Sequence, residues 1–291
     1  MSDAHQISQI APGVTFSFEG RCAIVTGGSG GIGGAVVEAL VASGGQVVIA
    51  DANGRAAQSL AERLDPTGER VLAVQCDITD DDSVRELMSR AAAFGGKIDI
   101  LINSAGVTST HIIEETPSEE WDRVIGVNLS GVYRTCREVI PYFLQHNYGR
   151  IVNVASVAAK RLSYNGSGVY TTSKAGLLGF TKHLAYEVAP VGVRVNAVCP
   201  GPVMTPMLQS TSDERIISAR KATIPTGKIA TPADQAKLII MYASDLVDFV
   251  TGTALDVDGG ALLGWFSVEE YFDRRKAGRP WDGIHPTGED D

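Results

Sequence analysis

Thr26-Gly27-Gly28-Ser29-Gly30-Gly31-Ile32-Gly33 follows an apolar, strand-like run, Arg21–Thr26, and opens a helical stretch over about Ile32–Ala42. Glycines in that place let the backbone turn tightly and approach a ligand closely. The start of the helix adds free N–H groups and the positive end of its dipole. A glycine pattern alone is weak evidence. Between a strand and a helix it reads as a cradle for a pyrophosphate, built from Gly27, Ser29, Gly31, Ile32 and Gly33.

Strands and helices alternate outward from this turn. Further strands are expected at Gln46–Ala50, Val71–Cys76, Ile98–Ile102, Ile151–Ala155, Val193–Val198 and near Ala254–Val257. Helices are expected near Arg55–Leu64, after Thr79, from Thr116 through Trp121 towards Phe143, and after Tyr170. Three helix starts carry capping signatures: Thr79 with Asp82, Thr116-Pro117-Ser118-Glu119, and Thr231-Pro232-Ala233-Asp234. Near-continuous apolar strands joined by helices imply a parallel sheet covered on both faces. Right-handed crossovers make it an α/β, doubly wound sheet of the Rossmann type. No internal repeat or linker is visible, so residues 16–264 read as a single domain. Residues 1–15 read as a loose arm and 265–291 as a polar tail with Pro280, Trp281, Pro286 and an acidic end, Glu289-Asp290-Asp291. The tail is either a disordered extension or a segment that docks on a neighbouring subunit or over the active site.

The chain has 291 residues, 44% of them apolar, so a sizeable core can be buried. Its formal net charge of −9 argues against non-specific binding to nucleic acid or anionic membranes. No apolar run approaches the ~20 residues that a membrane-spanning helix needs. The start, MSDAHQISQIAPG, lacks the basic-then-apolar plan of a secretory signal. Cys22, Cys76, Cys136 and Cys199 are far apart and read as reduced thiols, so a cytoplasmic protein is expected. The five histidines form no HExxH-like cluster, and no metal is expected.

Asp51 ends the second strand, about 20 residues beyond the glycine turn, where a carboxylate can accept hydrogen bonds from ribose hydroxyls. It would also repel a 2′-phosphate, which favours NAD over NADP. Arg55 nearby is the kind of residue that accommodates such a phosphate. Asp77, with Ile78 beside it, ends the next strand and is placed at the adenine amino group. Asn103-Ser104-Ala105-Gly106 ends the fourth strand with small residues, so Asn103, Ala105 and Gly106 join the nucleotide site.

Tyr170 and Lys174 stand four residues apart, on one face if the segment is helical. A phenol that ordinarily titrates near 10 is a poor base at neutral pH. A nearby ammonium favours the phenolate, and bringing it to neutrality takes about 4 kcal/mol of differential stabilisation. Lys174 can supply much of that in a dry site. Tyr170 could then take a proton from an alcohol or return one to a ketone. Ser156 ends the fifth strand, at the edge where ligands gather on such sheets, and could steady a substrate oxygen. Asn128 sits inside the long helix, where asparagine is a mediocre former and invites a role such as holding a water. Asn196 is expected to end a strand just before the Pro-Gly turn. Pro200, Gly201, Val203 and Thr205 of that turn could face a nicotinamide carboxamide.

In these residues the chain resembles the short-chain dehydrogenases/reductases. TGGSGGIG at Thr26–Gly33, NSAG at Asn103–Gly106, Asn128, Ser156, YxxxK at Tyr170–Lys174, PGPVMT at Pro200–Thr205 and DGG at Asp258–Gly260 stand in family order across about residues 18–262. The resemblance implies a tetrad of Asn128, Ser156, Tyr170 and Lys174. In it, the lysine also bonds the nicotinamide ribose and the asparagine positions a water. It implies a homotetramer, with a dimer as the alternative. Ser104 and Cys199 depart from residues that are commonly asparagine in the family.

The expected activity is hydride transfer between NAD and a secondary alcohol or its ketone. The substrate is a cyclic or aromatic alcohol, a sugar or polyol, or a 3-hydroxyacyl thioester. The thioester is the least favoured, because ketoacyl reductases of the family usually prefer NADPH. A sensor or scaffold that binds NAD(H) without turnover is the alternative from another class. Substrate contacts are expected from 157–169 and 204–231. There, Lys160 and Arg161 either form a solvated surface pair or attract an anion.

Overall fold

Seven apolar segments become the strands of one parallel sheet in the computed structural model, which describes residues 9–11, 14–163, 166–210, 212–264 and 266–276. A short antiparallel ladder, β1 (Gln9–Ala11) with β2 (Val14–Thr15), lies within the arm. The sheet strands are β3 (Cys22–Thr26), β4 (Gln46–Asp51), β5 (Val71–Gln75), β6 (Ile100–Asn103), β7 (Gly149–Val154), β8 (Val193–Pro200) and β9 (Ala254–Val257). Their spatial order is β5-β4-β3-β6-β7-β8-β9, and each neighbouring pair is parallel. Chain order therefore reverses between β3 and β6, the switch point at which such sheets bind ligands.

The helices are α1 (Gly31–Ala42), α2 (Gly54–Leu64), α3 (Asp81–Gly95), α4 (Ser118–Ile125), α5 (Val132–Leu144), α6 (Gly168–Val188), α7 (Pro206–Ser210), α8 (Glu214–Ala222), α9 (Pro232–Ala243) and α10 (Val268–Lys276). β3, β6 and β7 are buried throughout, because helices cover both faces. Side chains of α1, α2 and α9 fill one core layer, and those of α3, α5 and α6 the other. Leu40 and Ile49 on one side, and Phe143 and Leu177 on the other, are fully buried. Each contributes roughly 1.5–3 kcal/mol relative to exposure. No helix among the described residues is long and apolar enough to cross a membrane.

The strands fall within about two residues of the expected runs. Helix starts differ more. Thr231 and Asp234 form the reciprocal capping box that the sequence indicates. At α3 the cap is Asp80, whose carboxylate accepts from the Asp82 N–H at 2.9 Å, while the Thr79 hydroxyl donates to Asp77 instead. At α4 the Thr116 hydroxyl donates back to the Ile112 carbonyl at 2.8 Å, and Pro117 caps without a side-chain bond. In both cases a closer acceptor wins the hydroxyl. The expected long helix runs from Ser118 to Leu144, with a π-helical turn, Gly126–Gly131, set between α4 and α5. Of the polar tail, 268–276 is helical. Trp281 and the acidic end lie outside the described residues, as do Tyr164, Asn165 and Thr211.

One buried polar chain ties the neighbouring strands β6 and β7 to α5 and α6. The Thr135 hydroxyl donates to Asn103 Oδ1 at 2.7 Å, Asn103 Nδ2 donates to Asn153 Oδ1 at 2.9 Å, and Asn153 Nδ2 donates to Thr181 Oγ1 at 2.9 Å. All four residues are buried. Thr135→Val keeps the shape but leaves the Asn103 oxygen without this donor, an expected loss of about 1–3 kcal/mol. Urea unfolding should show a lower midpoint with an unchanged slope. An unchanged midpoint would mean that the chain of bonds is not stabilising.

Candidate active site

The glycine turn leaves β3 and runs into α1. Gly27 has φ +62°, and a Cβ there would lie 2.7 Å from the Ala105 Cα. A Cβ on Gly33 would collide with the Gly27 carbonyl oxygen, so the first turn of α1 can seat against β3 only with glycine. Gly30 caps α1 with no side-chain bond, and a Cβ there would meet nothing within 4 Å. The first N–H groups of α1, beside Ser29, Gly31 and Ile32, thus have no side-chain cap, as an anion cradle requires.

Asp51, at the end of β4, reaches back to this turn. Its Oδ2 accepts from the Ser29 N–H at 3.1 Å and its Oδ1 from the Asn53 N–H at 2.9 Å. The carboxylate is held at the shoulder of the cradle and keeps further lone pairs for hydroxyl donors. A groove of about 540 Å³ beside it is lined by Ala52, Asn53, Gly54, Arg55 and Gln75. Asp77 is exposed just past β5, with Oδ1 accepting from the Thr79 N–H and hydroxyl at 2.8 and 2.7 Å. Ile78 is buried against Gly131. Together these groups fit a nicotinamide dinucleotide: glycine cradle, uncapped helix start and ribose-facing carboxylate.

Asn103 does not turn its side chain to this cleft. Its amide belongs to the buried polar chain above, and only its backbone borders the site. Next to it, the Ser104 N–H donates to the Thr26 carbonyl at 3.2 Å and the Ala105 N–H to the Thr26 hydroxyl at 3.3 Å. Gly106 lies close to two of the site's polar side chains: a Cβ there would meet Asn128 Oδ1 at 3.4 Å and Lys174 Nζ at 3.5 Å.

Asn128 lies in the π-helical turn and is completely buried. Its Oδ1 accepts from the Val107 N–H at 2.8 Å, and its Nδ2 donates to the Val107 carbonyl at 2.9 Å and to Ser173 Oγ at 3.1 Å. It therefore clamps the segment after Gly106 to the helix that carries Tyr170 and Lys174. The extra residue of a π turn aims this amide inward, and such turns concentrate at functional sites.

Ser167 caps α6 by accepting from the Tyr170 N–H at 3.3 Å, which sets Tyr170 in the first turn and Lys174 one turn on. A serine three residues before the tyrosine is a cap signal the sequence reading missed. Lys174 Nζ donates to the Val154 carbonyl at 2.9 Å and lies 5.9 Å from the centre of the Tyr170 ring. Burial brings the Lys174 ammonium down to about 8, opposed by the adjacent Cys199. Burial also pushes the Tyr170 phenol above its ordinary value, and a hydrogen bond from Ser156 draws it back down. In this geometry the Lys174 ammonium donates to the Val154 carbonyl, and the hydroxyl of Ser156 is the group that lowers the phenol.

Ser156 stands two residues beyond β7, and its Oγ accepts from the Ala158 N–H at 3.1 Å. That leaves its own hydrogen to donate. The Pro200-Gly201 turn closes the far wall. The Gly201 N–H donates to the Val257 carbonyl at 3.1 Å, Val203 is buried in a bridge to Ala230, and the Thr205 methyl comes near Gly31. Asn196, expected at a strand end, lies inside β8 and bonds the Val250 carbonyl and the Thr253 N–H at 2.9 and 3.1 Å, so it holds an edge segment and not the site.

Comparison with known proteins agrees with this geometry. A family model described as enoyl-(acyl carrier protein) reductase, of the short-chain alcohol dehydrogenase type, matches residues 27–261. The chain is 39% identical over 244 residues to a 2-dehydro-3-deoxy-L-rhamnonate dehydrogenase (NAD(+)) of Sphingomonas sp., covering 84% of this chain and 96% of the relative. It is 35% identical over 247 residues to a 3-oxoacyl-[acyl-carrier-protein] reductase of Escherichia coli, covering 85% and 99%. Among solved structures, a 3-ketoacyl-(acyl-carrier-protein) reductase from Brucella melitensis complexed with NADH matches with a TM-score of 0.79 and 34% identity over 84% of this chain and 99% of that one. The chain belongs to the short-chain dehydrogenase/reductase family, as an oxidoreductase built for a nicotinamide cofactor.

Proposed function

We propose that this chain is an NAD-dependent dehydrogenase that oxidises a secondary alcohol of a sugar-derived or other polyhydroxy substrate. The observation that carries the reading is the convergence of Ser156, Tyr170, Lys174 and Asn128 at one edge of the sheet, beside a cradle whose ribose side is a carboxylate. Asp51 is fixed by two backbone N–H groups at the end of β4, and its negative charge would repel a 2′-phosphate bound beside it. The NAD(+)-dependent relative that acts on a sugar acid supports both the cofactor and the substrate class. The 3-oxoacyl reductase relative supports a second reading, a 3-hydroxyacyl thioester. The working form is a homotetramer in the cytoplasm, as family precedent supports.

When bound, the nicotinamide accepts or delivers the hydride. The residues do the rest. Ser156 donates to the substrate oxygen, Tyr170 takes its proton in oxidation, and Lys174 places positive charge beneath the phenol. Asn128 holds the floor of the site through Val107 and Ser173. The Pro200–Thr205 turn covers the cofactor's outer side.

NADH formation against a panel of polyols, sugar acids, cyclic alcohols and hydroxyacyl thioesters tests the reading. Tyr170→Phe should cut turnover by ~10²–10⁴-fold while leaving NADH binding intact. Silence of the parent across the panel with NADH still bound would favour a sensor without turnover. Asp51→Ala should reduce the preference for NAD over NADP by about tenfold or more, worth ~1.4 kcal/mol. An unchanged preference would place the discrimination elsewhere, with Arg55 the next residue to vary.

The pH dependence follows from the directions at Tyr170. Oxidation needs the phenol deprotonated, and burial raises its pKa, so kcat/KM for oxidation should rise with pH. Ser156→Ala removes the bond that lowers the phenol and should move that rising limb to higher pH as well as lower the rate. A limb that stays in place would show that Ser156 does not act on the phenol.

A further inference from the structure

Ser156 is positioned from below by a short turn whose far end is tied to the C-terminal part of the domain. Ser156 Oγ accepts from the Ala158 N–H, and its carbonyl accepts from the Ala159 N–H at 3.0 Å. The Val157 carbonyl accepts from the N–H groups of Lys160 and Arg161 at 3.0 and 3.1 Å, which closes the turn.

Lys160 and Arg161, two candidates for an anionic substrate, are otherwise engaged. Lys160 Nζ pairs with Asp256 Oδ1 at 2.6 Å and donates to the Ala254 carbonyl at 3.1 Å, both on β9. Arg161 Nη1 donates to the Ala261 carbonyl at 2.6 Å. That carbonyl sits in a turn which Asp258 braces by accepting from the N–H groups of Gly260 and Leu262, each at 2.8 Å. Two adjacent cations thus grip two successive stretches of the chain almost a hundred positions downstream. A single part-exposed ion pair contributes little, about 0–1 kcal/mol. Neighbouring anchors on one rigid turn serve better to fix a geometry than to add stability, and sub-ångström placement is what a hydroxyl at a reacting centre needs.

We propose that Arg161, with Lys160, is a positioning residue: it clasps the turn after Ser156 to β9 and the 258–262 turn, and so sets the direction of the Ser156 hydroxyl. The proposal rests on the reading of Ser156 as the group that faces Tyr170 and the substrate oxygen. Neither cation touches the reacting atoms, and neither is a substrate-binding charge.

The experiment compares Arg161→Ala, Arg161→Lys and Lys160→Ala with the parent in the full-length chain. Arg161→Ala should lower kcat on the order of tenfold, with the NADH dissociation constant unchanged and the alkaline limb displaced in the same direction as in Ser156→Ala. Arg161→Lys, which can still donate to the Ala261 carbonyl, should recover most of the rate. In the Ser156→Ala background Arg161→Ala should have almost no further effect, because residues that act through one another are not additive. Full additivity, or a raised KM for acidic substrates with kcat intact, would overturn the proposal in favour of direct substrate contact. A second measurement needs no turnover: amide exchange at Ala158 and Ala159 should quicken in Arg161→Ala and return towards the parent in Arg161→Lys. Unchanged exchange would overturn the clasp even if no substrate is found, whereas a silent parent with quickened exchange would count against the enzymatic reading alone.

Discussion

A parallel sheet delivers the last residue of every strand to the same edge, and almost everything in this molecule follows from that constraint. The strands cannot be joined by hairpins, so each is followed by a helix that returns the chain across a face. Because the order reverses between β3 and β6, the helices there leave in opposite directions and open a crevice. Into that crevice project the glycine turn after β3, Asp51 at the end of β4, Gly106 beyond β6, Ser156 beyond β7 and the Pro-Gly turn ending β8. Groups scattered over about 180 positions of sequence become neighbours because their strands are.

The second constraint is the burial of Lys174. Its ammonium is almost out of contact with water and has the Val154 carbonyl as acceptor. The charged form is disfavoured in the fold, so the group titrates near 8 and not at its ordinary 10.5. That difference costs roughly 3 kcal/mol of stability. With the sign followed through, the cost is fully present below pH 8 and fades as pH rises towards 10.5, where the unfolded chain also loses its proton. A buried amine that the fold does not need for packing is what a site selected for chemistry looks like. Tyr170 has the opposite direction for the same reason: a dry environment disfavours phenolate and ammonium alike. Ser156 then matters more than spacing suggests, since its hydroxyl favours the phenolate without bringing a charge.

Much of this was legible in the residues. Strand positions showed because fully buried strands are continuous apolar runs, and the Thr231–Asp234 cap because its two partners are three residues apart. Asp51 and the tetrad stood out by type and position. What failed to show has a common cause: a residue whose partner is distant in sequence carries no local signature. Asn103 looked like a nucleotide contact, yet its amide finds Thr135 and Asn153, on α5 and β7. Asn196 looked like a strand end, yet its partners lie near 250. Thr79 and Thr116 had the letters of a cap and a better acceptor close by. The π turn holding Asn128 has no compositional mark at all. It was visible only as an asparagine in an uncongenial place.

Distant partnership is also what makes the region around Asp258 more than an edge. Gly201, at the start of the cofactor-side turn, can approach the Asp258 backbone only because it lacks a side chain. Gly259 packs against Thr226 and Gly260 against Pro225, just beyond α8. Arg161 brings the Ser156 turn to the same place. One five-residue turn thus meets the Pro200–Thr205 turn, the segment just beyond α8 and the turn after Ser156. Motion of any one of the three presses on the others through backbone contacts with little slack, because closely packed groups shift together and do not deform independently. The DGG sequence lets these stretches of chain meet at one turn, because a side chain at Gly259 or Gly260 would run into Thr226 or Pro225.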